Sequence, residues 1–154
     1  MRITRSTAAR TTVAASALGL GLVTAAPATA ADSGSWRAYG NTNPITSSSA
    51  TWHCAGSRTI AADVLAQVCA IRSAGGGSVQ GAVIVRNNRS ALFSVHAAMD
   101  LYNSAGPLGT WACSSSGVGA NSWSVCFGKT LSQSAAVDSV GAANNVDLGL
   151  SPKV

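Results

Sequence analysis

The sequence predicts an all-β domain: an antiparallel β-sandwich or small barrel with two local disulfides and an extended N-terminal arm. Three observations carry this expectation. Short alternating or β-branched apolar runs recur roughly every ten residues, punctuated by Gly, Asn and Ser clusters. Four cysteines fall into two groups of similar spacing, Cys54 with Cys69 and Cys113 with Cys126, and each group opens with the same tetrad, TWHC at Thr51 and TWAC at Thr110. The chain also contains no Glu, whereas helical surfaces normally rely on Glu and Lys to face water.

The first segment reads as an export signal. Arg2, Arg5 and Arg10 precede the apolar run VAASALGLGLV, and APATA places Ala28 and Ala30 where small residues mark a cleavage site. Residues 1–30 are therefore expected to be removed, leaving a mature chain that starts at Ala31. The apolar run is shorter than the roughly 20 residues a membrane-spanning helix needs, so a secreted, extracellular product with no membrane attachment is expected. Cleavage also removes three of the ten basic residues and none of the five acidic ones, which lowers the formal charge from +5 to +2. Without a Lys/Arg stripe, the electrostatic footprint of a nucleic-acid binder is missing.

Residues 31–50, ADSGSWRAYGNTNPITSSSA, have too few large side chains to bury a face and read as a polar arm ahead of a stapled domain at 51–154. Trp36, Arg37, Tyr39, Asn43, Pro44 and Ile45 are nevertheless unusual for a spacer. They are the candidate partner-binding residues of the arm, through groove binding or strand addition. The competing reading is that Trp36 and Tyr39 fold back over the domain's own sheet.

In the domain, TIAADVLAQVCAI (59–71) alternates as a strand through Ile60, Ala62, Val64, Ala66, Val68 and Ala70. The same letters also allow a helix through Ile60, Val64, Val68 and Ile71. SAGGGS turns the chain into a β-branched strand centred on Val83, Ile84 and Val85. Residues 91–102 give the cleanest alternation, with Ala91, Phe93, Val95, Ala97, Met99 and Leu101 on one face, and NNRS is expected to join this strand to its predecessor as a hairpin. NSAGPLG makes the next turn, NSWSVCFGKT offers Trp123, Val125 and Phe127 on one face, and AAVDSVGAA and VDLGLS are weaker strands.

Four cysteines in an exported chain suggest two disulfides. Three connectivities exist; spacing favours Cys54 with Cys69 and Cys113 with Cys126, each closing a loop worth about 3 kcal/mol. Each tetrad would then form a stapled hairpin, with Trp52 and Trp111 beside their own bridges, because residues two apart share a strand face. The close Cys pairs of zinc ribbons are absent, so no metal is assigned to the cysteines.

Nothing in the chain reads as catalytic machinery or as a cofactor-binding motif. His96 and Asp100 share a strand face but stand about 13 Å apart by strand rise, too far to act as a dyad. His53 should face solvent. Binding is the remaining class, and Arg72 and Arg89, read as loop-tip arginines, are the candidate partner-binding loop residues. An exposed Arg on a rigid scaffold would also suit a secreted inhibitor of a protease, such as a trypsin-like enzyme, or of a glycosidase, and an uncharged, Ser/Asn-rich surface would suit a cell-surface structural protein.

The segments SWRAYGNTNPITSSS, QVCAIRS, GAVIVRNN, NSWSVCFGKT and LGLSP together resemble small exported proteins of filamentous soil bacteria. Among these the chain is similar to the B component of umbrella toxin particles, the adaptor between a large repeat-containing toxin chain and a trypsin-like lectin. The resemblance implies an assembly protein acting between competing bacteria, with those two secreted proteins as partners. Assigning the arm to the toxin repeats, and the Arg72 or Arg89 turn to the lectin, is an expectation from exposure and chemistry rather than from the resemblance.

Overall fold

The computed structural model describes residues 30–154, so the expected signal peptide lies outside the described residues apart from Ala30. The described chain is all-β. Its strands are β1 (Asp32–Ser33), β2 (Ser35–Gly40), β3 (Thr51–Cys54), β4 (Arg58–Ala61), β5 (Val64–Arg72), β6 (Ser78–Asn87), β7 (Phe93–Asn103), β8 (Gly106–Val118), β9 (Ser122–Phe127), β10 (Leu131–Ser132), β11 (Asp138–Ala143) and β12 (Val146–Leu150). They form two packed sheets, β1-β8-β7-β11-β12 and β2-β9-β6-β5-β3, with β4 beside β5 and β10 beside β6.

The main core lies between the sheets. The first sheet contributes Val95, Ala97, Met99, Leu101, Trp111 and Leu148; the second contributes Val64, Val68, Val79, Val83 and Val85. These residues recur at every second position of their strands, as a half-buried sheet requires. On β5 and β6 the intervening residues Cys69, Ile71, Ala82 and Ile84 are also buried, because a second, smaller cluster covers that sheet's outer face. Residues 59–71 are strand, but the alternation does not run unbroken. A turn at Ala62 and Asp63, whose φ is 57°, divides them into β4 and β5.

The polar segment at 31–50 is not an arm outside the domain. β1 pairs in parallel with β8, and β2 pairs antiparallel with β9 from Ser35↔Phe127 to Gly40↔Trp123. The segment thus crosses from the edge of one sheet to the edge of the other. At the crossing, Gly34 lies against the Cys113–Cys126 bridge; a Cβ there would meet Cys113 Sγ at 2.8 Å and the Phe127 carbonyl at 2.9 Å. Two open strand edges and a disulfide that only glycine can approach explain how a segment without a core of its own is held.

Two expected hairpins are replaced by crossings between sheets. NNRS does not pair β6 with β7: β6 lies between β5 and β9 in one sheet, and β7 between β8 and β11 in the other. Asn87, fully buried, fixes this corner. Its amide donates to the carbonyls of Ala91, Val118 and Gly119, while its oxygen accepts from Arg89 N–H. Likewise β8 and β9 belong to different sheets, and the chain turns between them through Asn121 at φ 47°.

The remaining turns follow their sequence signals. Gly76, at φ 77°, turns SAGGGS between β5 and β6, and Asn103 Oδ1 accepts the N–H groups of Ala105 and Gly106 in the β7–β8 turn. Asn144 and Asn145, at φ 45° and 64°, form the two-residue β11–β12 turn, a conformation that Asn tolerates better than most residues.

The disulfides pair as spacing favoured, Cys54 with Cys69 and Cys113 with Cys126. The first links directly opposed residues of neighbouring strands β3 and β5. The second joins the inner faces of β8 and β9 across the sandwich.

Candidate functional site

Strand membership sorts the charged side chains by sheet. The strands of the β1-β8-β7-β11-β12 sheet carry Asp32, Asp100, Asp138 and Asp147 and no Arg or Lys. The strands of the β2-β9-β6-β5-β3 sheet, with β4 and β10, carry Arg37, Arg58, Arg72 and Arg86 and no Asp. We call these the acidic and the basic sheet. Asp63, Arg89 and Lys129 lie in the connections, and Lys153 follows β12.

On the acidic sheet, register aligns Leu150, Val140, Asp100 and Thr110 in one row and Asp147, Ala142, Ala98 and Ala112 in the next. The small side chains leave a shallow depression of about 200 Å³, bordered by Asp100 and Asp147. Tyr102 donates to Asp100 Oδ2 at 3.2 Å, and burial together with that carboxylate raises its hydroxyl above the usual tyrosine pKa of 10.0. His96 Nε2 lies 3.4 Å from Asn145 Oδ1. No group of three His, Cys or Asp side chains suited to a metal ion occurs among the described residues.

The outer face of the basic sheet is divided. One half is the smaller cluster, where Tyr39, Ile45, Ala50, Trp52 and Phe127 pack over Cys69, Ile71, Ala82, Ile84 and Val125. Residues 41–50 form the lid of this half. Asn43 Oδ1 accepts the Ile45 N–H, Pro44 is buried, and Trp52 meets Phe127 edge to face at 6.0 Å. The other half is open, with a notch of about 50 Å³ lined by Ser57, Leu65, Ala66, Gln67, Ile84, Arg86 and Trp123.

The arm residues expected to bind a partner contact the chain itself. Trp36 packs against the main core and donates its indole N–H to the Ser114 carbonyl at 2.7 Å; Tyr39 and Ile45 join the smaller cluster. Arg37 is exposed and lies 5.1 Å over the Tyr39 ring. This is the fold-back alternative, favoured because Trp36 and Tyr39 gain more by burial than by exposure.

Arg72 is not a free loop-tip arginine. Its guanidinium donates to the carbonyls of Gly76, Gln133 and Ala135 and to a backbone oxygen of Val154, between 2.7 and 3.0 Å, and ties three chain segments together. A planar fork with five donors suits this task. Arg89 does lie at an exposed corner, with its guanidinium 5.7 Å over the Phe93 ring.

Arg86 escaped attention in the sequence. It donates from Nε to Asn88 Oδ1 and from Nη1 to Asn41 Oδ1 and the Asn121 carbonyl, and it lies 5.3 Å over the Trp123 ring. Its partners, like those of Arg37 and Arg89, are neutral carbonyls, amides or rings. These contacts fix each guanidinium in place without cancelling its charge.

The fold defines a disulfide-stapled β-sandwich whose outer faces differ in charge: Asp100, Asp138 and Asp147 on the acidic sheet, Arg37 and Arg86 on the basic one. No protein-family model matches the chain, and no curated protein matches it. No helix among the described residues is long and apolar enough to cross a membrane, and two disulfides fit an oxidising extracellular setting.

Proposed function

We propose that this chain is a secreted, non-catalytic adaptor that joins two other secreted proteins through its two outer faces. The supporting observation is the separation of charge by sheet, which gives one rigid body two surfaces of opposite electrostatic preference. Complementary charge steers encounter and suppresses wrong partners, so such a body holds two unlike proteins without competition between them. The resemblance to the B component of umbrella toxin particles points the same way and names the partner classes: a repeat-containing toxin chain and a trypsin-like lectin.

The test is affinity purification of the tagged protein from culture supernatant, with charge reversed on one face at a time. Asp100→Lys with Asp147→Lys should lose one co-purifying protein, and Arg37→Glu should lose a different one, each by about tenfold or more. Recovery of the protein alone, or loss of the same partner from both variants, would refute the adaptor.

An inhibitor is the second reading, and the corner at Arg89 favours it. Asn87 Oδ1 accepts the Arg89 N–H at 3.0 Å and the Arg89 carbonyl accepts the Asn121 N–H at 3.0 Å, so the loop is braced as inhibitor loops must be. Inhibition of a trypsin-like protease that disappears in Arg89→Ala would establish it over the adaptor.

A further inference from the structure

The covered half of the basic sheet is sealed by the chain's own segment 41–50, and the open half has no such cover. Where the cover exists, it is a polar stretch that sets a few apolar side chains, chiefly Ile45, on the sheet. Where it ends, Ile84 forms the floor of the notch, with Leu65 and Trp123 half-buried around it and Gln67 and Ser57 hydrogen-bonded to each other at 2.9 Å on its rim.

Three properties of the notch restrict what it can hold. Its volume of about 50 Å³ is far below the roughly 300 Å³ at which small-molecule pockets begin, so it takes one side chain rather than a metabolite or a sugar ring. Arg86 lies over the Trp123 ring, which removes one ring face as a stacking platform for sugars or bases. The basic side chains on this face are Arg86, which borders the notch, and Arg37, which shares the row of Val125 and Ile84; no strand of this sheet carries a carboxylate, and Asp63 lies in the β4–β5 turn.

We infer that the notch bounded by Leu65, Ile84, Arg86 and Trp123 docks an acidic segment of a protein partner, which places one apolar side chain on Ile84 and an adjacent carboxylate on Arg86. The neutral contacts of Arg86 hold its guanidinium in position before binding, so little ordering is lost when a carboxylate arrives. An apolar anchor in a desolvated pocket beside an arginine is the usual composition of a strong contact point between proteins. This inference rests on the adaptor reading and assigns the basic sheet's contact to these residues.

The experiment is amide NMR titration of the isotopically labelled protein with three probes. They are a short synthetic peptide bearing one leucine flanked by aspartates, its counterpart with lysines, and oligogalacturonate as an acidic polysaccharide. The acidic peptide should shift the signals of Leu65, Gln67, Ile84, Arg86 and the Trp123 indole, and the lysine peptide should shift none. Arg86→Gln should weaken binding about tenfold, the equivalent of a charged hydrogen bond of about 1.4 kcal/mol. Arg86 also braces Asn41, Asn88 and Asn121, so Leu65→Asp, which places a carboxylate in the notch without touching those bonds, is the second variant and should weaken binding at least as much.

Equal response to both peptides, shifts confined to other surfaces, or response to oligogalacturonate alone would overturn the inference. A supernatant purification in which Leu65→Asp keeps both partners would remove the notch and leave the adaptor standing. Loss of one partner in that variant agrees with the peptide result.

Discussion

The two Trp-Cys tetrads share spacing and composition, yet they lie in different sheets, one facing outward and the other into the sandwich. Trp52 and Cys54 face outward from β3 and belong to the smaller cluster under the 41–50 lid. Trp111 and Cys113 face inward from β8 and belong to the main core. Loop closure does not separate the bridges, since the sequence separations are 15 and 13 residues and the chain-entropy contribution is about 3 kcal/mol in each case. Their surroundings do. Cys54 to Cys69 spans a Cα distance of 4.0 Å inside one ladder, which hydrogen bonds already hold, whereas Cys113 to Cys126 spans 6.0 Å between two sheets that share no ladder there. The first staple reinforces a pairing; the second supplies a connection.

The largest expected difference is between the tryptophans. Trp111 is 2% exposed, and its ring lies against Gly109 and Gly128, where an added Cβ would come within 2.4 and 2.7 Å of it. Trp111→Ala should cost about 4 kcal/mol by emptying a volume that the sheets cannot close, and half-exposed Trp52→Ala about 2 kcal/mol. Urea unfolding of the two variants measures both; equal losses would remove the distinction between inner and outer staples.

Replacing each cysteine pair by alanine is the next comparison. Both variants should lose the entropic contribution of about 3 kcal/mol, and the inner pair about 1 kcal/mol more for the cavity left in the core. Thermal melts should rank Cys113→Ala with Cys126→Ala below Cys54→Ala with Cys69→Ala, and the reverse order would show that the outer cluster is the more cooperative.

The smallest effect is the most selective. Gly34→Ala should cost about 2 kcal/mol by crowding the inner bridge. That cost should shrink when Cys113 and Cys126 are alanine, because one of the two close contacts is with Cys113 Sγ, and stay unchanged when Cys54 and Cys69 are. A cost independent of both bridges would mean that the Phe127 carbonyl alone forbids the methyl.

Much of this was legible residue by residue. Val95, Ala97, Met99 and Leu101 of β7 are buried as their alternation requires, though Ala91 is exposed ahead of the strand; Trp123, Val125 and Phe127 share a face, and cysteine spacing favoured the pairing that is found. Partnership between strands was not legible, because alternation tells which face of a strand is buried but not which strand lies beside it. β6 illustrates the gap: its burial on both faces shows that both sides of its sheet are covered, but not that its neighbours are β5 and β9 rather than β7. The roles of Arg72 and Asn87 escaped for a related reason. Arg72 reaches three of its four backbone acceptors 61 to 82 residues away, and Asn87 bonds to Val118 and Gly119, 31 and 32 residues away. The charge separation was hidden too, since Asp and Arg are interleaved along the chain and sort only once each strand has a sheet.

The bridging position of β1, Gly34 and β2 also sets a timetable. Residues 32–40 leave the ribosome first among the described strands, yet their partners β8 and β9 run to Phe127. Contacts of such sequence separation form late, because the intervening chain must first be ordered. Gly34 packs on the Cys113–Cys126 bridge, so the strands that pair last come to lie on the inner staple. Until residues 32–40 dock, the edges of β8 and β9 stay open and able to pair with other molecules.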